Sequence, residues 1–130
     1  MEFDEGQSEL LKKAGLLRVA TITSHGDPFM VPVRFYFDGK AVYFTSPDHS
    51  PQIINLRGNR RICVLVDEVD DDSSEGVVAQ GLAQFVRGGT EAGRVLEAMA
   101  RKYSESSLEE AKGTLVKVIP VRIFELGRAE

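Results

Sequence analysis

The densest run of chemically useful side chains is Thr45-Ser46-Pro47-Asp48-His49-Ser50-Pro51-Gln52. A β-rich segment ends there in hydroxyl residues and a helix signal begins, with Ser50 a favoured N-cap type and Pro51 at the first helical position. The first N–H groups of a helix have no partner within it, and the helix dipole puts positive potential on them, so such an end favours an anion. Thr45, Ser46, Ser50 and Gln52 can add donors, and Arg34, in an otherwise uncharged segment, can add a countercharge. The plainer reading stands equally open: Ser50 caps its own helix and Arg34 is a solvated strand residue.

No complete catalytic constellation accompanies this run. A Walker loop, G-x-G-x-x-G, G-x-S-x-G and H-E-x-x-H are all missing. Asp48, His49 and Ser50 make a triad only on paper, because adjacent residues do not usefully face one another. His25 and His49 read as exposed turn residues. The single cysteine, Cys63, excludes a disulfide framework and a multi-cysteine zinc site. It lies in the apolar run 62–66 and reads as a buried small hydrophobe. Asp67, Glu68, Asp70, Asp71 and Asp72 lack the spacing and glycine of a calcium loop and read as solvated. Arg57, Arg60 and Arg61 read as a solvated face or as partners of that acidic loop.

Several elements must position these groups. Residues 4–14 read as a helix, with Asp4 and Gln7 at capping-box spacing, Phe3 placed as a staple, and Leu10, Leu11 and Ala14 inward. Gly15 ends it. Residues 17–24 are rich in β-branched types and read as a strand, followed by a turn at 24–27. Over 29–37, Phe29, Val31, Val33, Phe35 and Phe37 share one face and Met30, Pro32, Arg34 and Tyr36 the other. Pro32 lacks a ladder donor, so this strand is interrupted or at an edge there. Asp38-Gly39 is a hairpin signal leading into a strand over 41–46. A helix over 50–57, with Gly58 as its C-cap, precedes strands over 61–67 and 77–86, which flank an acidic loop at 70–75. Thr90 is placed to cap a helix over 91–103 whose inner face is Ala92, Val95, Leu96, Met99 and Tyr103. Residues 104–112 read as weakly helical or loop, and 115–126 as the last strand. The first three strands leave no room for crossover helices, so the sheet is antiparallel and curled into a small barrel.

The length, 130 residues, is that of one domain, 1–130. With 16 Lys+Arg against 20 Asp+Glu, the net charge of −4 argues against nucleic acid as a partner. No run of about 18 apolar residues spans a membrane. The acidic start MEFDEGQSE has no apolar h-region, so a cytoplasmic protein is expected.

In order along the chain stand VATI, G-x-P-x-x-V-P-V-x-F, DG-x-x-x-YF-T, S-x-x-x-x-N-L-R-x-N-x-R and V-L-V-D. The strand VVAQGLAQFV, the pair Lys102-Tyr103 and the closing VIPVRIFELG follow. This series, from about residue 10 to 127, resembles the pyridoxamine 5′-phosphate oxidase-like family of flavin-binding split β-barrels. The resemblance implies a mainly β (α+β) fold: a six-stranded antiparallel split β-barrel with short flanking helices. It further implies a homodimer with two cofactor sites at the subunit interface. FMN is the usual cofactor; one branch uses the 5-deazaflavin coenzyme and another handles haem. By position, Thr45, Ser46, Ser50 and Gln52 would hold the phosphate, and the backbone of Pro32, Val33 and Arg34 would lie along the isoalloxazine ring. The family commonly has S-R-K where this chain has Ser50-Pro51-Gln52, so a basic pair is lost.

The expected function is therefore an FMN-dependent oxidoreductase passing a hydride or electrons to a small molecule, with the chemistry supplied by the cofactor. The alternatives are a non-catalytic flavin or ligand-binding or sensing protein, or a deazaflavin-dependent reductase. Haem would need an axial ligand, for which only His25 and His49 are candidates. The vitamin-specific oxidase is not expected, since the chain lacks that enzyme's longer C-terminal substrate elements. Met30 and Tyr36, apolar on the second face of their strand, are expected at a dimer surface.

Overall fold

The computed structural model describes residues 1–103 and 113–127. Helix α1 (Glu5–Lys13) opens the chain, followed by strands β1 (Leu17–Ile22), β2 (Pro28–Val33), β3 (Phe35–Phe37) and β4 (Val42–Ser46). Helix α2 (Pro51–Gly58), strands β5 (Arg61–Val69) and β6 (Ser74–Phe85), helix α3 (Gly89–Lys102) and strand β7 (Thr114–Leu126) complete it. The capping box forms: Asp4 and Gln7 each accept the other's backbone N–H at 2.8 Å. Phe3 does not staple its own helix, where the facing position is the polar Ser8. Its ring meets Phe37 edge-on at 5.9 Å.

The sheet has seven strands, not six, in the order β2-β1-β5-β6-β7-β4-β3, with every neighbouring pair antiparallel. The extra strand arises because the run 29–37 breaks at Arg34. Before the break, β2 pairs with β1 (Leu17↔Val33, Ile22↔Pro28); after it, β3 pairs with β4 (Phe35↔Phe44, Phe37↔Val42). The break falls two residues after Pro32, which stays paired opposite Arg18 in an end strand, where a missing N–H is tolerated. The two ends of the strand order are thus consecutive in the chain, and the sheet curls until its edges meet at Arg34.

Alternation buries Val33, Phe35, Phe37, Val42 and Phe44 inside the curl, closed by Leu10 and Leu11 of α1 and Ile53 and Leu56 of α2. A second cluster forms outside it, where Ala92, Val95 and Met99 of α3 cover Tyr43 and Leu115. β4 is consequently buried on both faces. Tyr36 packs against this second cluster and is half-buried. Met30 remains 63% exposed.

Other local expectations change with tertiary context. Helix α3 is preceded by Gly88, with φ 88°, and Thr90 falls inside its first turn. The acidic loop is a tight turn, in which the Asp70 carboxylate accepts the N–H groups of Asp72 and Ser73 at 2.9 and 2.8 Å. Its flanks pair with Lys13, which reaches Glu68 at 3.3 Å, while Asp67 pairs with Arg18. Arg57, Arg60 and Arg61 therefore do not serve that loop. The β6–β7 pairing carries a bulge at Gln80/Gly81, where a side chain on Gly81 would collide with the Ile119 carbonyl. The segment 104–112 lies outside the described residues. Among the described residues no helix is long and apolar enough to cross a membrane.

Candidate functional site

β4 delivers Thr45 and Ser46 to the turn before α2, on opposite faces. Thr45 shares the side of Tyr43 and α3, and Ser46 the side of Phe44 and α2. On that side the Gln52 amide donates to Ser46 Oγ at 3.1 Å, with both residues buried. Ser50 occupies the N-cap backbone position, but its hydroxyl donates to the Pro47 carbonyl at 2.6 Å instead of capping. The expectation of a side-chain cap thus fails. At the start of α2 Pro51 has no N–H and the Ser50 carbonyl accepts those of Ile53 and Ile54 at 3.1 and 3.0 Å, which leaves the Gln52 N–H.

The neighbouring groups settle the paper triad. The Asp48 carboxylate accepts the Thr114 hydroxyl at 2.7 Å, Ser50 faces Pro47, and His49 is exposed, so no relay exists. His25 is likewise exposed, on the β1–β2 turn. Gly113 lies against the Ser46 carbonyl so closely that a side chain there would collide with it.

One cation expected on a solvated face or against the acidic loop stands instead at this turn. Arg57, in the last turn of α2, reaches back so that Nη1 donates to the Asp48 carbonyl at 3.0 Å. The available signal was its spacing: seven residues after Ser50, two helical turns along the same face.

The other part of the candidate site is the break at Arg34. β2 and β4 approach each other, and the β3–β4 pairing begins just after the break, at Phe35↔Phe44. Pro32 points outward and is exposed, Val33 points inward and is buried, and Arg34 is half-buried. The Arg34 guanidinium lies 5.5 Å from the centre of the Tyr103 ring. The Tyr103 hydroxyl accepts the Phe35 N–H at 3.0 Å and donates to the Phe35 carbonyl at 2.6 Å. The fold therefore brings Ser46, Ser50 and Gln52 to one turn, and Pro32, Val33, Arg34 and Thr45 to the adjoining strand edge.

The remaining charged groups of this region fasten α3. Glu91 accepts from Lys117 Nζ at 2.9 Å and from the Tyr43 hydroxyl at 2.7 Å. The Lys117 hydrogen bond, helped by Tyr43, holds the Glu91 carboxyl below its ordinary range. Burial, and then the bond to Glu91, push the Tyr43 hydroxyl up.

Cys63 differs from expectation. It faces outward between buried Ile62 and Val64 and is partly exposed, in an open hollow of about 700 Å³ with Ala20, Gln80 and Arg122. Partial burial pushes its thiol up, away from a reactive thiolate.

Comparison with known proteins gives the following likenesses. The family model described as pyridoxamine 5′-phosphate oxidase matches residues 5–124. A Streptomyces rimosus subsp. rimosus protein named 5a,11a-dehydrotetracycline/5a,11a-dehydrooxytetracycline reductase is 33% identical over 91 residues, 65% of this chain. The match spans 64% of that relative's length. A solved structure named as an FAD-binding protein, from Mesorhizobium loti, superposes with a TM-score of 0.75 at 16% identity, covering 96% of this chain and 93% of its own. The heme storage protein HutZ from Vibrio cholerae superposes with a TM-score of 0.80 at 16% identity, covering 95% and 94%. At these identities the structural likenesses are likenesses of fold.

Proposed function

The chain belongs to the pyridoxamine 5′-phosphate oxidase family, and from that premise we propose that it is a flavin-dependent oxidoreductase that binds FMN and reduces or oxidises a small molecule. The observation that carries this reading is the meeting of two half-sites. The start of α2, with Ser46, Ser50 and Gln52, adjoins the strand edge at Pro32, Val33 and Arg34. The relative named as a reductase and the fold neighbour named as FAD-binding support it.

The donor set fits a phosphate, with less charge than the Ser-Arg-Lys pattern provides. The Gln52 amide has a second hydrogen beyond the one given to Ser46, and α2 offers the backbone N–H of Gln52. Arg57 stands over the turn, so positive charge comes from outside the turn itself. FMN, when bound, supplies the hydride or electron chemistry. The chain's part is to hold the phosphate through Ser46 and Gln52, which lie together on one side of the turn, and to align the ring along the backbone of 32–34; Thr45 faces the other side and the Ser50 hydroxyl is given to Pro47. No side-chain acid or base is required, in keeping with the triad groups being engaged elsewhere.

The reading includes a homodimer with the cofactor sites at its interface. Met30, Leu82, Val121 and Phe124 are exposed on the outer face of the sheet, away from α3. A second copy of this chain would cover them. One observation favours a non-catalytic carrier as second reading: Pro51 and Gln52 stand where the family places a basic pair, which weakens retention of a charged cofactor.

A visible absorption spectrum before and after addition of FMN tests the proposal. Bands near about 370 and 450 nm that survive gel filtration are expected of a flavoprotein. A protein that stays colourless after incubation with FMN overturns it.

A further inference from the structure

In an antiparallel pair, alternate residues turn their N–H and C=O away from the partner strand, towards the next neighbour. Phe35 does this at the end of the strand order, where no neighbouring strand follows. Tyr103, at the C-cap of α3, stands in for the missing strand with both hydrogen bonds to the Phe35 backbone, at 3.0 and 2.6 Å. Lys102 Nζ adds a second donor to the same carbonyl at 3.0 Å and sits 4.4 Å from the centre of the Phe35 ring. The Tyr103 ring carries the Arg34 guanidinium at 5.5 Å. One side chain thus holds the backbone after the break and contacts the cation at it. α3 is also held to the sheet by other contacts. Ala92, Val95 and Met99 are buried against the sheet, and Glu91 is held by Lys117 and Tyr43.

We propose that Tyr103, supported by Lys102, is a positioning residue for the flavin cleft, keeping the backbone of 32–34 and the Arg34 guanidinium in one arrangement against the cofactor. The inference rests on the FMN reading above and adds to it a residue outside both half-sites. Tyr103→Phe keeps the ring and removes both hydrogen bonds, and Glu91→Gln loosens α3 at its other end as a control. Expected for Tyr103→Phe is an FMN dissociation constant raised about tenfold. The visible bands of bound FMN should shift, and the Phe35 amide should exchange faster in the ligand-free protein. Glu91→Gln should lower the melting temperature while leaving FMN affinity and bands unchanged. If Tyr103→Phe lowers the melting temperature but keeps wild-type affinity, bands and Phe35 protection, the role is structural and the proposal is overturned alone. A wild-type protein that does not bind FMN overturns the flavin reading and this proposal together.

Discussion

At the turn before α2 the side chains supply neutral donors, and the positive charge arrives from Arg57. Charge-assisted hydrogen bonds are roughly twice as strong as neutral ones, and about 1.4 kcal/mol is a tenfold change in affinity. Gln52→Lys should therefore tighten FMN binding by several-fold to about tenfold in a fluorescence titration. An unchanged dissociation constant would remove Gln52 from the phosphate site. Arg57→Gln should weaken binding by about threefold to tenfold and reduce its salt dependence. Its melting temperature should hardly move, because the exposed side chain makes one hydrogen bond to the fold. Equal salt slopes for both proteins would place Arg57 outside the site.

Helix α3 is fastened by carboxylates whose titration can be followed. Glu91 is held low by Lys117 and Tyr43. At Asp38 burial pushes the carboxyl up, but the N–H groups of Ala41 and Lys40 and the Arg94 guanidinium together outweigh it and leave it lowered. Because both are lowered on folding, the unfolded chain takes up protons first as pH falls. Their stabilisation is present above the unfolded carboxyl values of about 4 and is lost as pH drops through the folded ones. Melting temperature should be level from about pH 7 to 5 and decline below about 4, and Glu91→Gln should flatten part of that decline. An acid limb parallel to that of wild type would show that the Glu91 clamp contributes nothing. The residue before β7 makes a different demand, since Gly113 abuts the Ser46 carbonyl. Gly113→Ala should cost about 1–3 kcal/mol in urea unfolding, and a wild-type midpoint would contradict the close approach.

Across the whole molecule, the curled sheet presents one face that neither α3 nor the core uses, with Val121 57% and Phe124 43% exposed. Sedimentation at micromolar concentration should give twice the monomer mass. Val121→Asp or Phe124→Asp should shift it to the monomer and release FMN in the same step. A wild-type monomer that retains FMN would separate the cofactor site from any subunit interface.

Much of this molecule is legible without coordinates. Asp4 and Gln7 announce their capping box, Asp38-Gly39 its hairpin, and the alternation from Phe29 to Phe37 which side chains face inward. The ordered motifs between residues 10 and 127 point to the family. These are local signals, because capping, turns and face periodicity depend on residues a few positions apart. Several features of the candidate site depend on residues far apart in sequence. Arg34 becomes a break because one strand must serve β1 and then β4. Asp48 is taken by Thr114, and Phe35 finds its missing neighbour in Tyr103, 68 positions away. Cys63 faces outward although its neighbours are core. Periodicity sorts residues into two faces, but only the curl of the sheet and the docking of α3 decide which partner each polar group meets.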